Sequence, residues 1–138
     1  MARTVGGIMP LDGPWTAVRL REAAMVIADD ARLLSATWSE RVPPSIRLLP
    51  VRDIGWHRQS VTISAGGVRA PMAYTNEGYR GGRPIWHPVF AQGDRSDWRW
   101  VPQTPRPFMR PAAEARAAQA ADVFARVVDD WAAASGFK

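Results

Sequence analysis

Two histidines, His57 and His87, are the residues of this chain best suited to acid–base chemistry, because imidazole titrates near neutral pH. Each follows a tryptophan, and neither has an acid or a nucleophile as its neighbour. A catalytic histidine needs an acid that orients it and a group on which it acts. We therefore expect both histidines to be packed or interface residues, and we assign no catalytic residue.

Four of the acidic residues form two adjacent pairs, Asp29-Asp30 and Asp129-Asp130, and each pair lies within a predicted helix. Adjacent residues of a helix point about 100° apart, so neither pair is a ready acid–base dyad. The chain has no cysteine, and two histidines cannot complete a zinc shell without carboxylates. Its Gly-Gly steps lack the lysine and the strand–loop–helix context of a phosphate loop. We predict neither a metal nor a cofactor.

Glu77 is the one acid that its surroundings single out, since it ends a predicted strand and precedes Gly78. One interpretation is a loop carboxylate that pairs with one of the chain's many arginines. The other is a carboxylate that forms a salt bridge with a neighbouring subunit.

Prolines and large aromatic residues are concentrated between Glu77 and the last predicted helix, in residues 83–90, 97–103 and 106–112. So long a loop-like excursion is uncommon as a plain connection and is often functional. Aromatic and arginine side chains dominate the binding energy of protein interfaces, although buried aromatics are usually core, as we expect for about half of these. The candidate interface residues are Glu77, Trp86, His87, Phe90, Trp98, Trp100, Arg106, Phe108 and Arg110.

The elements that must position these residues begin with a helix over residues 15–38, where apolar residues recur at helical spacing. Pro43-Pro44 should end any helix. A short strand over 45–51 and a hairpin over 59–75, turning at 65–67, should follow. Residues 98–101 predict another strand, with both tryptophans on one face.

The last helix is predicted from residue 107 or 111 to residue 134, closed by Gly136. Alanine recurs along it and favours close packing. The predicted packing ridge is Ala112, Ala115, Ala118, Ala121 or Asp122, Ala125, Val128 and Trp131. The element order predicts an α+β fold, in which an antiparallel sheet of about four strands packs against an N-terminal and a C-terminal helix.

With 138 residues, the chain is expected to be one domain, 1–138, with an N-terminal arm over 1–14. No apolar run is long enough to cross a membrane, and no secretory signal is recognisable, so a cytosolic or particle-bound protein is expected. The net charge is +5, almost all of it from arginine. This charge permits contact with nucleic acid, although scattered arginines more often form solvated or inter-subunit salt bridges.

Four short motifs occur in a recognisable order. They are residues 73–78 (Ala-Tyr-Thr-Asn-Glu-Gly), 87–90 (His-Pro-Val-Phe), Trp98 or Trp100 with Gln103, and 106–112 (Arg-Pro-Phe-Met-Arg-Pro-Ala). With a helix before and after them, they resemble the tail-completion or head–tail joining proteins of long-tailed bacteriophages. Ala91 stands where that family often has a glycine.

The resemblance implies a structural virion protein that is not an enzyme. Such proteins form a ring, usually of six copies, at the head-proximal end of the tail or in the neck. Its partners would be the head connector or stopper and the tail-tube or tail-terminator proteins, with genomic DNA passing through the lumen. The expected location is the virion, and the host cytoplasm during assembly.

Two other functions stay open from the residues alone. One is a basic nucleic-acid-binding module, suggested by the high pI of about 10.9 and by an arginine between Trp98 and Trp100. The other is a small enzyme, for which the sequence offers no constellation of catalytic residues.

Overall fold

The computed structural model describes residues 14–55, 58–77, 83–89 and 99–136. Its elements, in chain order, are α1 (Pro14–Ala36), α2 (Val42–Ser45), β1 (Arg47–Leu48), β2 (Arg52–Gly55), β3 (Arg58–Ser60), β4 (Ile63–Ser64), α3 (Met72–Glu77), β5 (Ile85–Val89), β6 (Arg99–Gln103), α4 (Met109–Ala125) and α5 (Val127–Ala134). The α+β class is confirmed at this level: helices combined with small antiparallel ladders.

The two long helices, α1 and α4, make the main packing contact of the fold. Alanine lines this contact from both sides, with Ala28 and Ala31 on α1 and Ala112 on α4 fully buried. Small side chains let two helix backbones approach closely, which compensates for the modest apolar area that each alanine buries. The buried core is Ala28, Ala31, Val42, Ile46, Ala70, Ala73, Phe108 and Ala112.

Ion pairs add a second connection between the helices. Arg19 of α1 holds Asp130 of α5 through two hydrogen bonds, Nε to Oδ2 at 2.6 Å and Nη2 to Oδ1 at 2.9 Å. Arg116 of α4 lies 3.2 Å from Asp30 of α1. One acid of each adjacent pair, Asp30 and Asp130, therefore forms an ion pair with an arginine of a neighbouring helix. This agrees with the expectation that neither pair is an acid–base dyad.

The strands form three separate two-stranded antiparallel ladders within the described residues: β1 with β4, β2 with β3, and β5 with β6. The ladder of β2 and β3 carries a register shift between Asp53 and Gly55. The described strands therefore do not join into one sheet of about four strands.

The prediction of a strand over residues 68–75 was wrong, because α3 occupies its second half. Ala70, Ala73 and Asn76 are each buried and recur every three residues, which is the spacing of a helix face. Pro71, just before the helix, has the fixed φ that suits a helix start. The predicted hairpin over 59–75 is therefore absent, and β4 instead pairs with β1.

Two prolines also behaved differently from the prediction. Pro43 and Pro44 lie inside α2 rather than ending a helix. Both occupy the first turn, where the missing N–H would have no partner anyway, so α2 tolerates them.

The last helix is confirmed, with an interruption at Arg126 that divides it into α4 and α5. Gly136 follows it with a φ of +79°, as expected for a glycine that closes a helix. The predicted ridge was largely wrong. Ala112 is buried, but Ala115, Ala118, Ala121 and Ala125 are exposed. The other buried residues of this region are Ala120, which was not predicted, and Val127, which was expected beside the ridge.

Candidate functional site

Glu77, the last residue of α3, supplies the N-terminal cap of α4 from about thirty positions earlier in the chain. Its Oε2 accepts the backbone N–H groups of Phe108 and Met109 at 3.0 and 2.8 Å, and its Oε1 accepts that of Arg110 at 2.7 Å. The first N–H groups of a helix have no partner within the helix, and the dipole there favours a negative charge. The carboxylate satisfies both requirements at once.

This geometry corrects one of the two interpretations of Glu77 drawn from the sequence, that of a loop carboxylate paired with an arginine. The described hydrogen bonds of the carboxylate are with backbone N–H groups at the start of α4, and none of them is with an arginine side chain. The salt bridge with a neighbouring subunit stays a prediction. Phe108, at the position before the helix, makes no side-chain cap of its own. Glu77 therefore replaces the serine or aspartate that would normally stand there.

Asn76 completes this connection, although it was not among the candidates selected from the sequence. It is 1% exposed, its Nδ2 donates to the carbonyl of Met72 at 3.0 Å, and its Oδ1 accepts the N–H of Arg106 at 3.3 Å. A buried amide requires such partners. The signal that could have found it is the position of Asn76 three residues after the buried Ala73.

Phe108 is a core residue, which corrects its selection as an interface candidate. It is 1% exposed, and its ring centroid lies 6.0 Å from that of Trp38 with the rings tilted by 59°. Tilted aromatic pairs at this separation are favourable. Arg106 and Arg110 have exposed side chains, while their backbone N–H groups are held by Asn76 and Glu77. We call this set, Asn76, Glu77, Arg106, Phe108, Met109 and Arg110, the junction.

Part of the excursion that the sequence indicated as loop-like is a β-hairpin. Strands β5 and β6 pair antiparallel, with Trp86 opposite Pro102 and Pro88 opposite Trp100. A two-stranded ladder leaves one edge of each strand open, and proline is tolerated on such edges. The strand predicted over residues 98–101 is confirmed as β6, which begins at Arg99 and extends to Gln103. Strand β5 was not predicted, because its prolines suggested a loop.

Trp86 and Trp100 lie on the same face of this hairpin. Residues opposite each other in a ladder share a face, as do residues two apart along a strand, so the register places both indoles together as diagonal neighbours. Each tryptophan is 61% exposed. We call this pair the tryptophan face.

The remaining hairpin candidates are only partly described. The backbone of His87 lies opposite Val101, on the alternate register position from the two tryptophans. Phe90 and Trp98 lie outside the described residues. The prediction that Trp98 and Trp100 share a face therefore concerns a residue outside the described part of the chain.

The electrostatics of the described residues centre on the link between α1 and α5. The two hydrogen bonds from the Arg19 guanidinium hold the pKa of the Asp130 carboxyl below its usual range. The same bonds raise the pKa of Arg19. Both groups stay charged at neutral pH, so this pair serves to join the helices.

Within residues 14–55, 58–77, 83–89 and 99–136, no cluster of three or more acids and histidines is arranged to hold a metal ion. In that same part of the chain, no helix is both long and apolar enough to cross a membrane. Comparisons with family models, with curated proteins and with solved structures find no match to this chain.

Proposed function

We propose that this protein is a structural subunit of a ring at the head–tail interface of a long-tailed bacteriophage, where it joins the tail tube to the head connector. The proposal combines the resemblance of its four motifs with one structural observation that carries it, the tryptophan face. It does not assign an enzymatic activity.

The tryptophan face supports a docking role because a partner that covered it would bury a large apolar area. An aromatic side chain of this size buries about 150–250 Å² when it is covered, and truncation of such an anchor typically costs 2 kcal/mol or more of binding energy. Trp86 and Trp100 leave most of that area in contact with water. In a ring, one face of each subunit contacts a different face of the next, so a single protruding hairpin suits the geometry.

The junction supports the same role by fixing the base of the excursion. Asn76 and Glu77 bind the backbone of residues 106–110, so the chain leaves the core at residue 77 and returns to it at the same place. The hairpin of β5 and β6 lies between these two points in the sequence. A preorganised base lowers the entropy that a docking segment loses on binding.

This division also accounts for the order of the motifs. The Glu-Gly motif and the Pro-Phe motif contact each other in the junction, while the motifs between them lie in or beside the hairpin. We propose that the outer motifs hold the excursion and the inner ones meet the neighbouring subunit.

The finer features stay part of the proposal. They are a ring of six copies, contact with a connector or stopper and with tail-tube or terminator proteins, DNA in the lumen, a location in the virion and in the host cytoplasm during assembly, and a long Pro/Trp-rich excursion. The alternative, a basic nucleic-acid-binding module, stays a prediction that rests on the high pI and on the arginine between Trp98 and Trp100.

The test is the mass and shape of the purified full-length protein, measured by size-exclusion chromatography with light scattering and by negative-stain microscopy, alone and with tail tubes. The proposal expects a closed ring or a cap on the tube end. A monomer that neither forms rings nor joins tubes or heads would refute it.

A further inference from the structure

An open groove, separate from the junction and the hairpin, runs between α2 and the turn before α3. It comprises two cavities of about 550 and 470 Å³, which share Arg41, Pro44, Val68 and Arg69 in their linings. Arg47 lines the second cavity as well. A volume of this size is typical of a ligand site.

The walls of the groove are anchored by buried groups on either side. Val42 and Ile46 hold α2 in the core, and Ala70 holds the turn. Ser45 joins the two walls, because its Oγ accepts the N–H of Gly66 at 3.0 Å and donates to the carbonyl of Val42 at 2.6 Å. Arg41, Arg47 and Arg69 are each next to one of these buried residues in the sequence, so their backbone positions are fixed by the core.

Within the described part of the chain, no ion pair neutralises the positive charge of the groove. The side chains of Arg41, Arg47 and Arg69 are exposed, and the ion pairs of the described residues involve other arginines. Glu40 is the one acid among the described residues that line the two cavities. Three guanidinium groups against one carboxylate leave a basic surface that a negatively charged ligand would complete.

We propose that this groove binds the phosphate backbone of a nucleic acid. A guanidinium group can donate two parallel hydrogen bonds to the oxygens of one phosphate. Three arginines in one groove therefore suit a polymer that carries a phosphate at every nucleotide. Val68, fully exposed, and Pro44 offer apolar contact to the sugars. At Gly67, space for a Cβ is open on all sides, so a backbone can approach closely.

A nucleic acid fits better than an acidic protein segment, because the whole chain is basic. The net charge is +5 and the pI is about 10.9, which favours a long polyanion over a short acidic peptide. The groove proposal does not rest on the ring proposal, since a monomer could use the same surface.

The test is fluorescence anisotropy of labelled single-stranded and duplex DNA of about 20 nucleotides, longer than the roughly 4–16 nucleotides that one small fold covers. The triple variant Arg41→Gln, Arg47→Gln, Arg69→Gln should bind at least about tenfold more weakly at low salt. Its slope of log affinity against log salt should fall by about 2 to 3.

A matched control removes the same charge elsewhere. Arg21, Arg83 and Arg126 are exposed and do not line the groove, so their triple change to glutamine should cost much less affinity. Equal losses in the two triple variants would overturn the proposal, because only net charge would then matter. A larger loss from Trp100→Ala would also overturn it and place binding on the hairpin.

Two single variants at Val68 separate binding from folding, since this side chain is fully exposed. Val68→Arg should bind DNA more tightly and Val68→Glu more weakly, with unchanged thermal melting in both.

A competition experiment distinguishes nucleic acid from other anions. Inorganic phosphate at equal ionic strength should compete poorly with labelled DNA, and polyglutamate should compete less well than unlabelled DNA. No DNA binding by the wild-type protein, or stronger competition by phosphate or polyglutamate, would overturn the proposal.

Discussion

The junction and the hairpin are built from the same residue types, yet the structure uses them in opposite ways. Phe108 in the junction is 1% exposed and packs on Trp38, whereas Trp86 and Trp100 on the hairpin are each 61% exposed. Both regions belong to one Pro- and aromatic-rich stretch of sequence. Residue type and local context therefore do not distinguish an aromatic that is buried in the core from one that is exposed.

The difference arises from what each aromatic meets in three dimensions. Phe108 follows a segment that Asn76 and Glu77 attach to α3, so its ring is directed into the core between the helices. The hairpin has only two strands, and neither tryptophan is covered within the described residues. A two-stranded ladder alone is marginally stable, and a partner on one face would supply the missing packing.

The largest expected effect on the fold is that of Phe108→Ala. It removes the largest fully buried side chain among the described residues and should lower the free energy of unfolding by about 3–5 kcal/mol. Chemical denaturation monitored by circular dichroism measures this loss. Trp100→Ala is the contrasting variant, since an exposed residue should change stability by less than about 0.5 kcal/mol. Equal losses in both variants would remove the distinction between the two regions.

Glu77→Gln should have the next largest effect. The amide keeps one oxygen acceptor but loses the negative charge and the second acceptor, while three N–H groups need partners. We expect a loss of about 1–2 kcal/mol in the free energy of unfolding. Faster amide hydrogen exchange at Phe108, Met109 and Arg110 should accompany it.

The control for this change is Glu114→Gln, an exposed glutamate within α4 that has no described hydrogen bond. It should leave both stability and exchange unchanged. If Glu77→Gln behaved like this control, the cap would not hold the base of the hairpin.

The smallest expected effect concerns Asp130 and depends on pH. Arg19 lowers the pKa of the folded carboxyl, so the pair stabilises the fold fully above the pKa of an unfolded aspartate, about 3.9. This stabilisation is lost as the pH falls through the lower pKa of the folded state. At neutral pH, Asp130→Asn should therefore be less stable than the wild type, and the two should converge in acid.

Asp129→Asn is the matched control, because both acids lie in the first turn of α5 and Asp129 is exposed. The measurement is the melting temperature of the wild type, Asp130→Asn and Asp129→Asn at pH values from about 7 down to about 2. A difference between wild type and Asp130→Asn that stayed constant across this range would contradict an origin in the ion pair.

The parts of the fold that could be predicted were the two long helical regions. The spacing of apolar residues placed α1 within two residues of its observed ends. The alanine-rich composition and Gly136 placed the ends of the last helical region equally well. The packing face of α4 could not be found in this way, since alanine occurs on every side of that helix and gives no period. Tertiary contact with α1 decides which alanines are buried.

The candidate site was harder to predict for the same reason. Glu77 was selected correctly as special, but its partners are backbone groups about thirty residues away, which no local pattern encodes. Residues 68–75 were predicted as a strand, but the burial of Ala73 and Asn76 favours the helix α3 over its second half. Strand β6 was predicted over residues 98–101, whereas β5 was not, because its pairing with β6 is not visible in the local sequence.

The central claim is that the tryptophan face binds a partner while the junction maintains the fold. The most direct test measures the free energy of unfolding and the mass of the assembly for the double variant Trp86→Ala, Trp100→Ala. Leu33→Ala is the control, since Leu33 is 69% exposed on α1 and does not belong to the hairpin.

We predict that the double variant unfolds like the wild type, within about 1 kcal/mol, but sediments as a monomer at concentrations where the wild type and Leu33→Ala form rings. A double variant that still forms the ring, or that loses as much stability as Phe108→Ala, would contradict the account.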